Sequence, residues 1–206
     1  MKFVLFVEGY TEKNVLGPFL SSWLNSRLER KVGIRTVRFD GWPQVVRGMQ
    51  RKAELYLEGP NSEDLIAIIT LLDLYGPDFY PTTASSVDER IQWAKEHFEP
   101  KVNSNKFRMF FAVHEIEAWL LSQHGLFPSQ VQKALPKKNP EDVNFDNPPS
   151  KHFNNIYQQK LSRTYRKITD GKNLFAKLDP DVAYGKCPHL KQMLDEMLRM
   201  AQQSGV

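Results

Sequence analysis

The chain has 206 residues, of which 41% are hydrophobic and 12% aromatic, enough for one domain with a full core and not typical of a disordered protein. Its single cysteine, Cys187, excludes an internal disulfide framework and agrees with a reducing compartment. The first apolar run is interrupted at Glu8, too early for a signal peptide, and no run is long enough to cross a bilayer. We therefore expect a soluble cytoplasmic protein without a membrane partner.

Strands and helices are predicted to alternate through the first half of the chain. Almost unbroken apolar runs predict buried strands at 2–7, 65–72 and 107–113, and an alternating pattern predicts a more exposed strand at 33–39. Apolar residues at helical spacing predict helices at 11–30, 43–58 and 87–98. This βαβαβαβ order predicts an α/β fold with a mainly parallel, doubly wound sheet of four strands flanked by helices.

Only helical patterns follow in the second half, at 114–123, 129–135, 151–161, 172–178 and 186–202, around a loop rich in Pro and Asn at 136–149. The sequence contains no internal repeat and no Gly/Ser linker between the halves. We therefore predict a single composite domain over 1–206, in which an α/β core (1–123) carries a helical C-terminal extension (124–206).

The basic residues are concentrated in the second half. Residues 1–100 contain 12 Lys and Arg against 14 Asp and Glu, and residues 101–206 contain 16 against 10, within a net charge of +4. An acidic half joined to a basic half fits an enzyme that acts on a polyanion. A solvated basic surface without a ligand gives the same composition, so the charge alone leaves both alternatives open.

Three carboxylates stand where predicted strands end. Glu8, Asp73 and Glu115 each follow an apolar run, and the carboxyl ends of parallel strands meet at one edge of a sheet. We expect these side chains to converge, and a cluster of carboxylates without neighbouring cations repels itself. The sequence therefore predicts a site for Mg²⁺ or Mn²⁺, the usual cations for oxygen ligands.

Two of these acids also have a structural alternative. Glu8 could stabilise the N-terminus of the helix that follows it, Asp73 could cap a turn, and Glu12 is expected to belong to the first turn of a helix rather than to a catalytic group. The shared placement of Glu8 and Asp73 after strands favours the metal role for both.

The segment His114-Glu115-Ile116-Glu117-Ala118 contains half of a zinc-protease motif. The position four after His114 is Ala118, so the second histidine is missing and that class of enzyme is excluded. On a helix, His114 and Glu117 would share one face and either acid could face the sheet edge, although Glu117 could instead form a local ion pair. The pair Cys187 and His189 lacks the further ligands of a structural zinc site.

Basic residues interleaved with aromatics between 137 and 177 predict a track for nucleic-acid phosphates. The residues proposed for it are Lys137, Lys138, Lys151, Arg163, Arg166, Lys167 and Lys172. Solvated helix faces are the alternative for most of them. The sequence contains neither a Walker loop nor a Gly-x-Gly-x-x-Gly motif, which argues against P-loop nucleotide hydrolysis and dinucleotide redox chemistry.

These motifs together resemble the Toprim superfamily, in the branch of the overcoming-lysogenisation-defect (OLD) nucleases, and more closely the bacterial domain-of-unknown-function family 4276. The stretches that carry the resemblance are Val7-Glu8-Gly9-Tyr10-Thr11-Glu12, Leu72-Asp73-Leu74-Tyr75-Gly76, Val113-His114-Glu115-Ile116-Glu117-Ala118, Pro140-Glu141-Asp142-Val143-Asn144, Pro149-Ser150-Lys151 and Cys187-Pro188-His189. Their order and spacing extend over nearly the whole chain. The resemblance implies a Toprim-like, Rossmann-like sheet.

The resemblance also implies roles for residues. Glu8 and Asp73 carry over as metal ligands, completed by Glu115 and Glu117. Tyr75 stands where the wider superfamily has the second acid of an Asp-x-Asp motif, so a second metal would need Asp78, Asp40 or one of the pair Glu115 and Glu117 in its place. Relatives are often encoded beside ABC/SMC-type ATPases in phage defence, which implies such an ATPase as a partner.

The hypothesis from the sequence is a Toprim-like nuclease that hydrolyses nucleic-acid phosphodiesters with Mg²⁺ or Mn²⁺. In it, Glu8 holds the metal or takes a proton, and Lys151 offsets charge on the reacting phosphorus. The alternative is a non-catalytic nucleic-acid-binding or regulatory subunit of an ABC/SMC-type ATPase complex.

Overall fold

The computed structural model describes residues 1–143 and 147–206, and strands and helices alternate in its first half as predicted. The elements are β1 (Lys2–Val7), α1 (Tyr10–Asn25), β2 (Gly33–Arg38), α2 (Trp42–Leu57), β3 (Leu65–Asp73), α3 (Val87–Val102) and β4 (Phe107–Ala112). The predicted α/β class is confirmed.

The four strands form one parallel sheet in the order β2-β1-β3-β4. Alternate residues of β1 enter two different cores. Phe3 and Leu5 pack on the side of α1 and the C-terminal helices, whereas Val4 and Phe6 pack on the side of α2 and α3. Covering both faces explains why the central strands read as apolar runs, and β2, at an edge, is partly exposed.

Short helices make up the second half. They are α4 (Glu117–Leu120), α5 (Ser129–Gln132), α6 (Pro149–Leu161), α7 (Lys172–Phe175), α8 (Pro180–Lys186) and α9 (Pro188–Gln203). Their apolar residues join the core on the α1 side of the sheet. Across the described ranges, 1–143 and 147–206, no helix combines the length and apolarity that a membrane span requires.

Several predicted helix boundaries were wrong, and three of them bear on the packing or on the acidic motif. α1 ends at Asn25 rather than near residue 30. Directly after this end, the side chains of Ser26 and Arg27 donate hydrogen bonds back to the Trp23 carbonyl. The predicted helix 186–202 is two helices, because Cys187 is extended and Pro188, which has no backbone N–H to lose, begins α9.

The third boundary concerns the acidic motif. Only Glu117–Leu120 is helical in the segment predicted as helix 114–123. His114 and Glu115 therefore precede the helix, so His114 and Glu117 do not share a helix face. Glu115 lies in the loop between β4 and α4.

Candidate metal centre

Glu8 and Asp73 lie side by side at one edge of the sheet. Glu8 follows β1 and Asp73 ends β3, and these strands are parallel neighbours. Glu8 Oε1 accepts a hydrogen bond of 2.8 Å from the backbone N–H of Asp73. Asp73 Oδ1 accepts one of 3.3 Å from the N–H of Ile116, in the segment after β4. Three strand ends are thus joined through two carboxylates.

Glu115 is held by the start of α6. The backbone N–H of Ser150 donates to Glu115 Oε2 at 2.9 Å, and the Ser150 hydroxyl donates to Oε1 at 3.0 Å. Lys167 Nζ donates to the same Oε1 at 2.9 Å. Both carboxylate oxygens are therefore engaged, in the place where a helix N-terminus favours an anion.

Glu117 is buried beside it with fewer partners. Its side chain is 1% exposed, and Lys167 Nζ lies 3.5 Å from Oε2. Within 1–143 and 147–206, neither of its carboxylate oxygens accepts a hydrogen bond from another residue. Glu117 and Lys167 form a loose ion pair, which leaves oxygen lone pairs in the interior without a hydrogen-bond donor.

Glu12 also belongs to this group, although the sequence analysis assigned it to helix chemistry. It is buried in the first turn of α1, and its Oε2 has no hydrogen-bond partner in the described residues. A Cβ on Gly9 would lie 2.5 Å from that oxygen, so a larger residue there would require the Glu12 carboxylate to shift. Glu8, Glu12, Asp73, Glu115 and Glu117 are called the acidic cluster below.

Burial and mutual repulsion raise the pKa of three acids of the acidic cluster. Burial raises the pKa of Glu8 to about 7, and the charge of Glu12 adds to this. Burial and then the charge of Glu8 raise the pKa of Asp73 well above its usual range. Burial also raises the pKa of Glu117 to about 7. These three acids favour their neutral form unless a cation compensates their charge.

Lys167 provides one such cation. Burial acts to lower its pKa, but the carboxylates of Glu117, Asp73 and Glu115 together raise it. The sequence analysis placed this lysine on a nucleic-acid surface, whereas the structure places its ammonium against the acids. No local sequence pattern reveals this contact, because Lys167 lies 52 residues from Glu115 along the chain.

The acidic cluster fits a hard divalent cation in chemistry but is not arranged around one. Carboxylate oxygens are the ligands of Mg²⁺ and Mn²⁺, and the buried oxygens of Glu12 and Glu117 without hydrogen bonds are available to such an ion. In the residues that the structure describes, no three His, Cys, Asp or Glu side chains are grouped so that they could hold a metal together.

Tyr75 and Lys151 lie close together near the acidic cluster. Lys151 Nζ donates to the Tyr75 hydroxyl at 3.2 Å, and Lys151 follows Ser150, which holds Glu115. Two further acids were considered for a second metal. Asp40 is ion-paired with Arg38 at 2.7 Å, and Asp78 is exposed.

The other predicted basic residues do not form one track. Arg163 makes a bidentate ion pair with Asp170, at 2.8 and 2.9 Å, and Arg166 is exposed beside it. Lys172 lines a cavity of about 290 Å³ next to α1. Lys137 and Lys138 line a separate cavity of about 570 Å³.

Two remaining motifs meet at the start of α9. Glu141 Oε2 accepts from the N–H of His189 at 2.8 Å, and Oε1 accepts from the N–H of Leu190 at 3.3 Å. Glu141 is 7% exposed, and burial raises its pKa to about 7. The carboxylate therefore caps a helix rather than forming a reactive site. Asn144, from the same motif, lies outside the described residues.

The fold and the site define an α/β protein with buried carboxylates gathered at the strand ends of a parallel sheet. The family model described as "Domain of unknown function (DUF4276)" matches residues 7–198, so the chain belongs to that family, as predicted. Among solved structures, the chain is similar to the "C-terminal region of the Burkholderia pseudomallei OLD protein" at 14% identity, with a TM-score of 0.45, over 96% of this chain and 97% of that one. No curated protein matches significantly.

Proposed function

We propose that the protein is a metal-dependent phosphodiesterase that hydrolyses nucleic acid with Mg²⁺ or Mn²⁺. The observation that carries the proposal is the set of buried oxygens of Glu12 and Glu117 without donors. They belong to the same acidic cluster as Glu8 and Asp73, which stand at the strand ends where ligands of parallel sheets bind. Glu8, Glu12, Asp73 and Glu117 are the proposed ligands. Glu115, whose oxygens are occupied by Ser150 and Lys167, is proposed to position the site.

The residues divide the chemistry among them. A divalent cation supplies positive charge to the scissile phosphate and makes an attacking water more acidic. Glu8, next to Asp73 at the end of β1, is proposed either to hold the cation or to accept the proton of that water. Lys151, exposed beside Tyr75, is suited to offset the charge that develops on the phosphate oxygens.

The nucleic-acid backbone is proposed to enter through the cavity of about 570 Å³. Its lining includes Lys137, Lys138, Lys186 and His124, and contains no acidic residue among those described. It shares Lys186 with a cavity of about 390 Å³ that reaches Val113, directly after β4. A concave surface that concentrates ammonium groups favours phosphates over neutral ligands.

The catalytic proposal is tested with Glu8→Gln and Asp73→Asn, which remove one ligand charge each without a change in size. Both should abolish Mn²⁺-dependent cleavage of DNA and RNA while the circular dichroism spectrum and melting temperature stay near those of the wild type. Glu63→Gln, an exposed carboxylate in the loop before β3, is the matched control. Cleavage by both variants at the wild-type rate would refute the assignment.

The binding proposal is tested by salt dependence. Lys137→Ala with Lys138→Ala should flatten the plot of log affinity against log salt by about two units, one for each lost phosphate contact. Lys160→Ala with Lys177→Ala, both exposed, removes the same charge elsewhere. Fluorescence anisotropy on short DNA and RNA gives the slopes. An equal effect of the two pairs would leave the cavity without a special role.

A second candidate is a non-catalytic regulatory subunit that binds nucleic acid within an ABC/SMC-type ATPase complex. It is favoured by Lys167, which already neutralises part of the acidic cluster, and by the lack of a grouped metal-ligand set in the described residues. The partner ATPase and a role in phage defence rest on the family resemblance. Salt-dependent binding without cleavage, with and without a co-encoded ATPase, would favour this candidate.

A further inference from the structure

We propose that Lys167 is an internal counter-cation that a divalent metal must displace from the acidic cluster, so that lysine and metal exchange at Glu117. The inference rests on the metal site of the proposed function, not on the hydrolysis reaction. It assigns to Lys167 the control of metal affinity.

The distances place the ammonium within the acidic cluster. Lys167 Nζ is 2.9 Å from Glu115 Oε1 and 3.5 Å from Glu117 Oε2. Asp73 is among the carboxylates whose charge acts on it. One ammonium thus compensates several acids, which explains how carboxylates that would otherwise repel one another can lie close together.

A metal bound to Glu117 and this ammonium would repel each other in the observed arrangement. A cation such as Mg²⁺ binds a carboxylate oxygen at about 2.1 Å. An ion at that distance from Glu117 Oε2 would lie close to Lys167 Nζ, and the repulsion between two cations a few ångströms apart in a partly buried site is large. Binding of either cation therefore weakens binding of the other, and this coupling is reciprocal.

The Lys167 side chain can reach solvent from the acidic cluster. Its side chain is 38% exposed, and it begins a π-helical turn, Lys167–Gly171. Asp170 fixes the backbone of this turn by accepting from the Arg166 N–H at 2.9 Å and from Arg163. The long, flexible lysine side chain can then swing towards solvent while the backbone stays in place.

The first experiment measures Mn²⁺ affinity by calorimetry in the absence of nucleic acid. Lys167→Met keeps the length and apolar stem of the side chain and removes its charge, and it should bind Mn²⁺ about tenfold more tightly than the wild type. The control is Lys160→Met, an exposed lysine of α6, which should bind as the wild type does. Equal or weaker binding by Lys167→Met would overturn the exchange.

The second experiment uses the wild type, so it holds even if the variant does not fold. Acetylation of lysines is followed by mass spectrometry with and without saturating Mn²⁺. Lys167 should become more reactive when Mn²⁺ is added, because its ammonium leaves the carboxylates, whereas Lys160 should not change. Unchanged reactivity of Lys167 at saturation would overturn the proposal.

The outcomes separate this inference from the proposed function. Mn²⁺ binding that is equal in the wild type and in Lys167→Met overturns the exchange alone. Lack of Mn²⁺ binding by both proteins overturns the exchange and the metal site together. The predicted tighter binding supports the exchange even if nucleic acid is not cleaved, because hydrolysis is measured separately.

Discussion

Glu117 and Glu141 are two buried glutamates with very different surroundings. Both are nearly inaccessible, and burial raises the pKa of each to about 7. Each Glu141 oxygen accepts a backbone N–H at the start of α9, whereas in the described residues Glu117 has only the loose contact with Lys167. A raised pKa alone therefore does not mark a functional acid. The proposal that Glu117 is a metal ligand rests instead on its unfilled hydrogen-bonding capacity.

The largest expected difference between them is in cleavage. Glu117→Gln should lower Mn²⁺-dependent cleavage by at least about a hundredfold, because it removes the charge of a proposed ligand. Mutation of residues that only hydrogen-bond to metal ligands already lowers metal affinity or activity by about 10–100-fold. Glu141→Gln should leave cleavage unchanged. Initial rates on a labelled oligonucleotide measure both. The contrast fails if the two variants lose activity equally.

The next effect concerns pH and isolates Glu141, which contacts no proposed ligand. Its folded pKa of about 7 exceeds that of an unfolded glutamate, so between about pH 4.5 and 7 the unfolded chain binds fewer protons and stability falls as pH rises. Glu141→Gln should flatten this decline by up to about 1.4 kcal/mol per pH unit. Urea unfolding at several pH values measures the slope, and parallel curves for both proteins would contradict the shift.

The smallest effect tests an intermediate case, Glu115, whose oxygens are all engaged. Ser150→Ala removes the hydroxyl that donates to Glu115 Oε1 and should lower the free energy of unfolding by about 1 kcal/mol. Ser129→Ala, with an exposed serine on α5, is the control. Urea unfolding of the metal-free proteins gives both values. A loss no greater than that of the control would mean that Glu115 does not depend on Ser150 for its position.

The buried strands and part of the site could be predicted because their signals are local. Apolar runs identify β1, β3 and β4, and the parallel order brings Glu8 next to Asp73. Glu12 was not predicted, because an acid in the first turn of a helix has the same sequence signal whether it faces solvent or the interior. Its direction depends on the close approach over Gly9.

Lys167 could not be predicted for a different reason. It comes to Glu115 from 52 residues away, through the packing of short helices that have weak periodicity of their own. Acids without a neighbouring cation would require a metal, but Lys167 is a neighbouring cation in the structure. The metal proposal therefore now depends on oxygens without donors rather than on uncompensated charge.

The edge strand β2 has a consequence for self-association. It pairs with β1 on one side only, and its other side presents backbone groups that could accept a strand from another molecule. Arg35 and Arg38 are exposed on this strand, and their side chains lie over the rings of Tyr56 and Tyr10. Charged residues on an outer strand oppose pairing between sheets. Replacing both arginines with threonine would keep the strand and remove that barrier to aggregation.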